Sequence, residues 1–449
     1  MREKTIKTLA AALLILTLTA CAGGRIKPEE DLTTVAPEST AETEELASIP
    51  EGYEFRVIRA GSGARESLSR AVRLRDMTVA ERTGISVVYD DAADDAAVLI
   101  AATADFLSGE GCYRAAEGSF SRLCAPLFLK GALSAAEEFG GALGEASLNP
   151  SLVTKNGTYF ITGAIVPASL GDVSCIAVNL DVASRFSVRV LDEKTLAGAG
   201  GWDALTASAA TVPSGVGIYR YGVTDRAVGT SFLRSTGNSA TVSGKNGEPS
   251  VAPSLAGGAS AALRRAASLF GDDAVSFRPT DQMPREERKT ATEGAFSDPG
   301  ILYLFCETKD LPTLRDAGNE ILILPYPGDA AGADGTNGTA GVILKGGGAP
   351  VAAALSALEE ASARYVFPET VDACLSGRAR YDTDSRDALV RILSVARYET
   401  ALTLAGEGGA ELSDALTAAA TGDADALVGW ELKAALLSPL LEKIFASSP

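Results

Sequence analysis

The chain has 449 residues, 46% of them apolar, with 58 acidic against 40 basic side chains for a net charge of −18 and no histidine at all. That length allows two or three domains with sizeable cores. The acidic balance argues against a nucleic-acid binder, which needs a basic stripe, and the missing histidine removes Ser-His-Asp and Cys-His catalysis together with any histidine metal site.

Residues 1–21 read as a targeting segment. Arg2, Lys4 and Lys7 form a basic start, Leu9–Leu18 a short apolar run, and Leu18-Thr19-Ala20-Cys21 has the form of a bacterial lipobox. Either Cys21 is lipidated after cleavage, or this is an ordinary signal peptide with an incidental cysteine. The apolar run is too short to span a bilayer. Residues 22–52, rich in Glu, Thr, Ala and Pro, lack apolar periodicity and read as a flexible acidic tether. Such a segment has an end-to-end distance of about 30 Å.

From Tyr53 the pattern becomes globular. Glu54–Arg59 alternates as a strand, Gly61-Ser62-Gly63 turns, a helix runs to Arg82 and stops at Thr83-Gly84, and Ile85–Tyr89 is the next strand, giving a βαβ unit. The Gly61-x-Gly63 pair is no dinucleotide fingerprint, because Glu66 stands where its third glycine belongs. Ala96–Leu107 is predicted as a helix and Cys112–Ala116 as a strand. The loop after that strand, with Ser119, Phe120, Ser121 and Arg122, lies at a carboxyl strand end, where open α/β sheets take ligands; capping the next helix is the equal alternative.

Asn156-Gly157 marks a turn into an apolar run, Thr158–Ile165; after a break, Val173–Asn179 is a second strand that passes into helix at Leu180. Ala204–Ala210, Ala227–Leu233 and Gly257–Phe270 read as helices, and the polar stretch Ser235–Pro253 as a hairpin or a mobile loop. On the strand Gly217–Gly222, Tyr219 and Tyr221 share one face; they either stack on a sugar ring or finish a core. Ile301–Phe305 is apolar, Asp329–Gly348 is a Gly-, Asp- and Asn-rich loop without an aromatic, Pro350–Ala363 is an amphipathic helix, and Leu427–Phe445 closes the chain as a helix.

No catalytic motif survives. Gly244-Lys245 is followed by Asn246 and lacks the upstream glycine of a phosphate loop, and no G-x-S-x-G elbow occurs. Cys112, Cys124, Cys175, Cys306 and Cys374 show no C-x-x-C spacing, so zinc is not indicated. Their odd number permits at most two disulfides, and apolar neighbours suit several of them as buried thiols. Carboxylates are numerous, but nothing places a glycosidase pair across a cleft.

Several of these stretches resemble the bilobal solute-binding proteins of ABC importers, in the branch related to sugar binders. Asn156–Gly163 (NGTYFITG) is similar to that family's turn and strand NGKLYF, Ala177–Asp181 to its strand-to-helix FNKDL, and Gly201–Asp203 to its GKW segment. Arg75–Ile85, Glu293–Phe305 and Asn319–Pro327 follow it as well, and Arg364–Leu393 does so with Asp382, Asp384 and Ser385 in the corresponding places. The resemblance covers most of residues 53–404. It departs at Gly144–Ser147, where relatives often carry tryptophans, and in the aromatic-free loop 329–348.

The resemblance implies an α/β, two-lobed, maltose-binding-protein-like fold of class II with hinge crossovers. It assigns 53–163 plus about 294–325 to the N-terminal lobe and 164–293 plus about 326–449 to the C-terminal lobe. It further implies a non-enzymatic, monomeric receptor without cofactor or metal, lipid-anchored outside the cell, that closes on a small solute, a carbohydrate, for ABC permease subunits. Ser62, Ser119, Phe120, Ser121, Arg122, Asn179, Tyr219, Tyr221, Glu307 and Tyr326 are the ligand candidates on that reading. The alternative is a diverged surface lipoprotein, a sensor or scaffold, that kept the fold and lost transport binding. Few tryptophans and no histidine point to a different or smaller ligand, or to a degraded site.

Overall fold

The computed structural model describes residues 49–446 except 51, 60–67, 91–97, 103–133, 145–146, 155–156, 199, 246, 280–282, 284, 317, 329–338, 344–347, 376–379 and 382–383. Strands β1 (Glu54–Arg59) and β2 (Ser86–Asp90) run parallel, with Phe55 opposite Val87, and α1 (Ser69–Thr83) connects them, as the alternating pattern predicts. Gly84 ends α1 in the left-handed region at φ 72°, its N–H on the Ala80 carbonyl, a conformation that suits a residue without a Cβ.

Strand β3 (Val98–Ala102) adds in parallel to the other edge of β1. The sequence pattern predicts a helix here. Five successive apolar residues carry no period that separates helix from strand, and the open edge of β1 supplies the backbone partners that decide it. The predicted strand Cys112–Ala116 lies outside the described residues. A small hairpin, Val153–Thr154 with Gly157–Thr158, precedes β4 (Phe160–Ile161). The predicted run to Ile165 stops early, because 3₁₀ turns at Gly163–Ile165 and Pro167–Gly171 carry the chain away.

Next come β5 (Ser174–Asn179), α2 (Leu180–Arg185), α3 (Gly201–Ala209), β6 (Tyr219–Val223), α4 (Val228–Ser235) and α5 (Gly258–Phe270). Between α4 and α5 the polar stretch is a hairpin, Thr241–Ser243 against Pro249–Val251. Strands β7 (Ser276–Phe277), β8 (Ile301–Glu307) and β9 (Glu320–Leu324) follow. Then β10 (Thr339–Ile343) and α6 (Gly348–Ala361) lead to α7 (Phe367–Cys374), β11 (Arg380–Tyr381), α8 (Asp384–Val395), α9 (Gly406–Ala420) and α10 (Trp430–Ala446). The stretch predicted as a loop thus contains a strand, β10, which finds antiparallel partners in β3 and β4.

The strands form a five-stranded sheet, β2-β1-β3-β10-β4, and a six-stranded sheet, β7-β6-β8-β5-β9-β11. Chain order and sheet membership together give three crossings between the sheets: β4 to β5, β9 to β10, and β10 with α6 to α7 and β11. This corrects the predicted lobe assignment. Residues 294–325 do not belong with the first sheet, because β8 pairs with β5 and β6, and β9 pairs with β5, inside the second. The segment that returns to the first sheet is β10 with α6.

The second sheet has the deeper core. Every residue of β5 and β8 is buried, which is what strands covered by helices on both faces require. Trp202 on α3 sits with its ring centroid 4.0 Å from Phe232 and 5.9 Å from Phe305, and its indole N–H donates to Ser235 Oγ at 2.9 Å. Trp430 donates to the Ala252 carbonyl at 2.8 Å, so both tryptophans are structural. Among the described residues no helix is long and apolar enough to cross a membrane.

Helices α4 and α9 approach closely at Gly229, where a Cβ would stand 2.3 Å from the Leu416 carbonyl carbon and 2.4 Å from its oxygen. Gly229→Ala is therefore expected to cost about 1–3 kcal/mol through overpacking, seen as a lower urea midpoint with an unchanged slope.

Candidate ligand site at the strand ends of the second sheet

Because β6 and β8 are parallel and β5 runs against both β8 and β9, the carboxyl ends of β6, β8 and β9 meet the amino end of β5. The register sets Glu307 opposite Ser174, Phe305 opposite Val223, and Leu324 opposite Ile176. The residues just past these ends are polar: Asp172, Thr224, Asp225, Thr308, Lys309 and Tyr326. They lie where the chain arrives from the first sheet, since Thr308 Oγ1 donates to the Leu170 carbonyl at 2.5 Å and its N–H to the Val173 carbonyl at 2.9 Å.

Lys309 holds this end together. Its Nζ stands 2.9 Å from Asp172 Oδ1 and 2.9 Å from Glu307 Oε2, while Glu307 is only 1% exposed and Lys309 20%. Burying charge is tolerated when it is paired and hydrogen-bonded. Burial itself works against the ammonium, but Glu307 and Asp172 outweigh it and hold the Lys309 pKa above the ordinary lysine value. Beside it, Ser174 and Ser231 share a hydrogen bond at 2.9 Å, and Tyr326 OH donates to Asp225 Oδ2 at 2.5 Å. Asp225 Oδ1 also accepts the Ala227 N–H at 2.8 Å, which sets the start of α4. Burial, followed by the Asp225 charge, raises the Tyr326 pKa well above the usual phenol.

This arrangement suits binding better than covalent chemistry. A nucleophilic lysine needs a lowered pKa, and Lys309 has the reverse. Among the described residues no group of three or more His, Cys, Asp or Glu side chains could hold a metal ion.

The sequence-derived candidates separate on this frame. Glu307 and Tyr326 stand at the polar strand ends, with Asp225 and Lys309. Asn179 is at the far end of β5, about 17 Å away at 3.3–3.4 Å per residue; there its Oδ1 accepts the Val182 N–H that caps α2 and its Nδ2 donates to the Phe296 carbonyl at 2.9 Å. Tyr219 and Tyr221 meet the other possibility weighed for them. Tyr221 is buried edge-on to Phe270 at 5.8 Å, and Tyr219 packs on Phe277 at 5.6 Å. Cys21, Ser62, Ser119, Phe120, Ser121 and Arg122 lie outside the described residues. Asp172, Asp225, Ser231 and Lys309 escape the sequence reading. Lys309 and Asp172 are 137 residues apart and meet only because β5 and β8 pair. Asp225, directly after a strand and before a helix, carries the one local signal, that of a helix-start side chain.

No family model matches the sequence, and no curated protein is similar to it. Solved structures do match. An ABC substrate-binding protein from Listeria monocytogenes in complex with cycloalternan superimposes with TM-score 0.52 at 12% identity, over 88% of this chain and 99% of that one. UspC from M. tuberculosis gives TM-score 0.54 at 14% identity, over 86% and 99%. A cyclic α-maltosyl-1,6-maltose binding protein from Arthrobacter globiformis gives 0.51 at 11%, over 88% and 99%. The fold is therefore the two-lobed, maltose-binding-protein-like α/β fold of ABC solute-binding proteins. At the level of fold, the resemblance read from the sequence holds over nearly the whole globular part.

Lys309→Met takes the shared ammonium away from the buried Glu307 and Asp172 carboxylates, so it is expected to destabilise by about 3–5 kcal/mol, measured by urea unfolding. An alkaline limit also follows. Burial pushes Tyr221 up to about 12, against about 10 in the unfolded chain. The protonated phenol is favoured by folding, so its contribution is complete below pH 10 and is lost as the pH climbs toward 12; the raised Lys309 acts with the same sign. Unfolding free energy measured at intervals from pH 9 to 12 should fall steadily, and Tyr221→Phe should flatten that fall.

Proposed function

We propose that this protein is an exported, lipid-anchored receptor that takes a small polyhydroxylated solute, a carbohydrate, between its two lobes and presents it to an ABC permease. The observation that carries this reading is the threefold crossing between two sheets, with a buried polar cluster where the second sheet's strand ends meet the first crossing. A ligand seated there contacts both halves, and its differential affinity for the closed arrangement drives hinge closure. The ligands of the similar structures support the ligand class: one is complexed with cycloalternan and another binds cyclic α-maltosyl-1,6-maltose.

On this reading Ser62 and Ser119–Arg122 supply the first lobe's ligand face, and the strand ends beside Lys309 supply the second, with Glu307, Asp225 and Tyr326 buried behind them as its support. Trp202, Phe232, Phe270, Phe305 and Tyr326 stack on one another within the second core. Affinity then rests on hydrogen bonds more than on ring stacking, which suits a small sugar better than a long glucan. Two acyl chains on Cys21 give the stable attachment that one chain does not.

A thermal-shift and calorimetry screen with mono- and oligosaccharides tests the proposal. A solute at one hundred times its Kd should stabilise by about 2.7 kcal/mol, with a smaller radius of gyration in solution scattering. Absence of any shift across the panel overturns the transport reading in favour of a surface sensor or scaffold.

A further inference from the structure

Cys175 and Cys306 sit directly opposite each other on β5 and β8, in the middle of the second sheet. Both are fully buried thiols, their Sγ atoms are 3.7 Å apart, and 131 positions separate them in the chain. Directly opposed residues of antiparallel strands have Cα atoms about 4.5–5.5 Å apart, within the roughly 4.4–6.8 Å that a disulfide spans. Closing the sulfur gap to a bond of about 2.05 Å moves each sulfur by roughly 0.8 Å, a small rotation of the side chain. Cys374, the other described cysteine, donates to the Thr308 carbonyl at 3.5 Å instead.

We propose that Cys175 and Cys306 are a disulfide-forming pair, oxidised as the exported chain folds, by exchange with a protein or low-molecular-weight disulfide. One cysteine thiolate attacks the oxidant's disulfide, forming a mixed disulfide and releasing the first oxidant thiol. The second cysteine thiolate then attacks the mixed disulfide, forming the Cys175–Cys306 bond and releasing the second oxidant thiol. Two protein thiols are oxidised, one disulfide is reduced to two thiols, and the two protons pass to the leaving sulfurs. The proposal rests on the exported-receptor reading for its oxidising compartment.

The timing follows from burial. Neither strand is at the sheet's edge, and both sulfurs are inaccessible once β5 and β8 pair. The contact with the Cys175 thiol, and then burial, push the Cys306 thiol well above its ordinary value, so that this sulfur is held as a thiol in the native sheet, and burial keeps oxidant from both. Oxidation therefore belongs to folding, and the finished bond is shielded from reductant. It ties the first strand after a crossing to the strand that ends in Glu307, so that hinge motion is confined to the crossings.

The test is thiol mapping of the full chain. Protein recovered from the cell surface, and protein refolded from denaturant in a mixture of oxidised and reduced glutathione, are alkylated under denaturing conditions and digested. The expected result in both is one cross-linked species joining the Cys175 and Cys306 peptides, lighter by two hydrogens than the sum, with Cys374 alkylated. Folded, reduced protein given the same glutathione mixture should keep both thiols. C175A and C306A should each leave the partner alkylated, not paired with Cys112 or Cys124. Full alkylation of both cysteines after glutathione refolding, or their linkage to other cysteines, overturns the pairing. A chain found in the cytoplasm that still forms the bond on glutathione refolding supports the pairing and sinks the export reading alone.

Discussion

The pairing of β5 with β8 is the constraint on which the rest of this molecule depends. Both strands are buried along their whole length, so their sequences must be apolar on both faces and their backbone groups must be met by neighbours on both sides. β6 and β9 supply those neighbours, and α3, α4 and α5 cover the sheet with Trp202, Phe232 and Phe270. Once Tyr303 faces Val178 and Glu307 faces Ser174, the positions of the polar residues beyond the strand ends are no longer free. Asp172 and Lys309 are brought to one place by register, not by any local preference of their own.

That placement explains why the strand ends are both charged and quiet. A carboxylate as deeply buried as Glu307 needs a cation, and Lys309 serves two carboxylates at once. Tyr326, just beyond the end of β9, is anchored by Asp225, which also begins α4. Each group is committed to a partner on a different element, so the cluster knits the crossing to the sheet and offers no activated nucleophile. A partnered polar platform thus stands where the chain passes from the first sheet to the second.

Much of the architecture was legible in the chain. The βαβ opening, the Gly84 stop, β5 passing into α2 at Asn179, the hairpin within 235–253 and the final helix all follow from local rules of period, turn chemistry and capping. The misreadings have a common cause. Val98–Ala102 has no period of its own and becomes a strand because β1 has an open edge. β10 lies within a stretch whose Gly, Asp and Asn content reads as loop, and is a strand because β3 and β4 leave room between them. Tyr221, which the strand pattern leaves as either a stacking or a core residue, takes the core place because Phe270 covers it.

The amino-acid sequence alone determined the acidic, histidine-free chemistry and the α/β alternation, because these depend on composition and on contacts within a few residues; the two-lobed fold class was legible only through the resemblance to a known family. Which segment returns to the first sheet, and which side chains surround Lys309, were decided only by the tertiary structure. Strand order and register are set by burial of both faces across more than a hundred residues, and no local pattern encodes which distant strand will satisfy a given backbone edge.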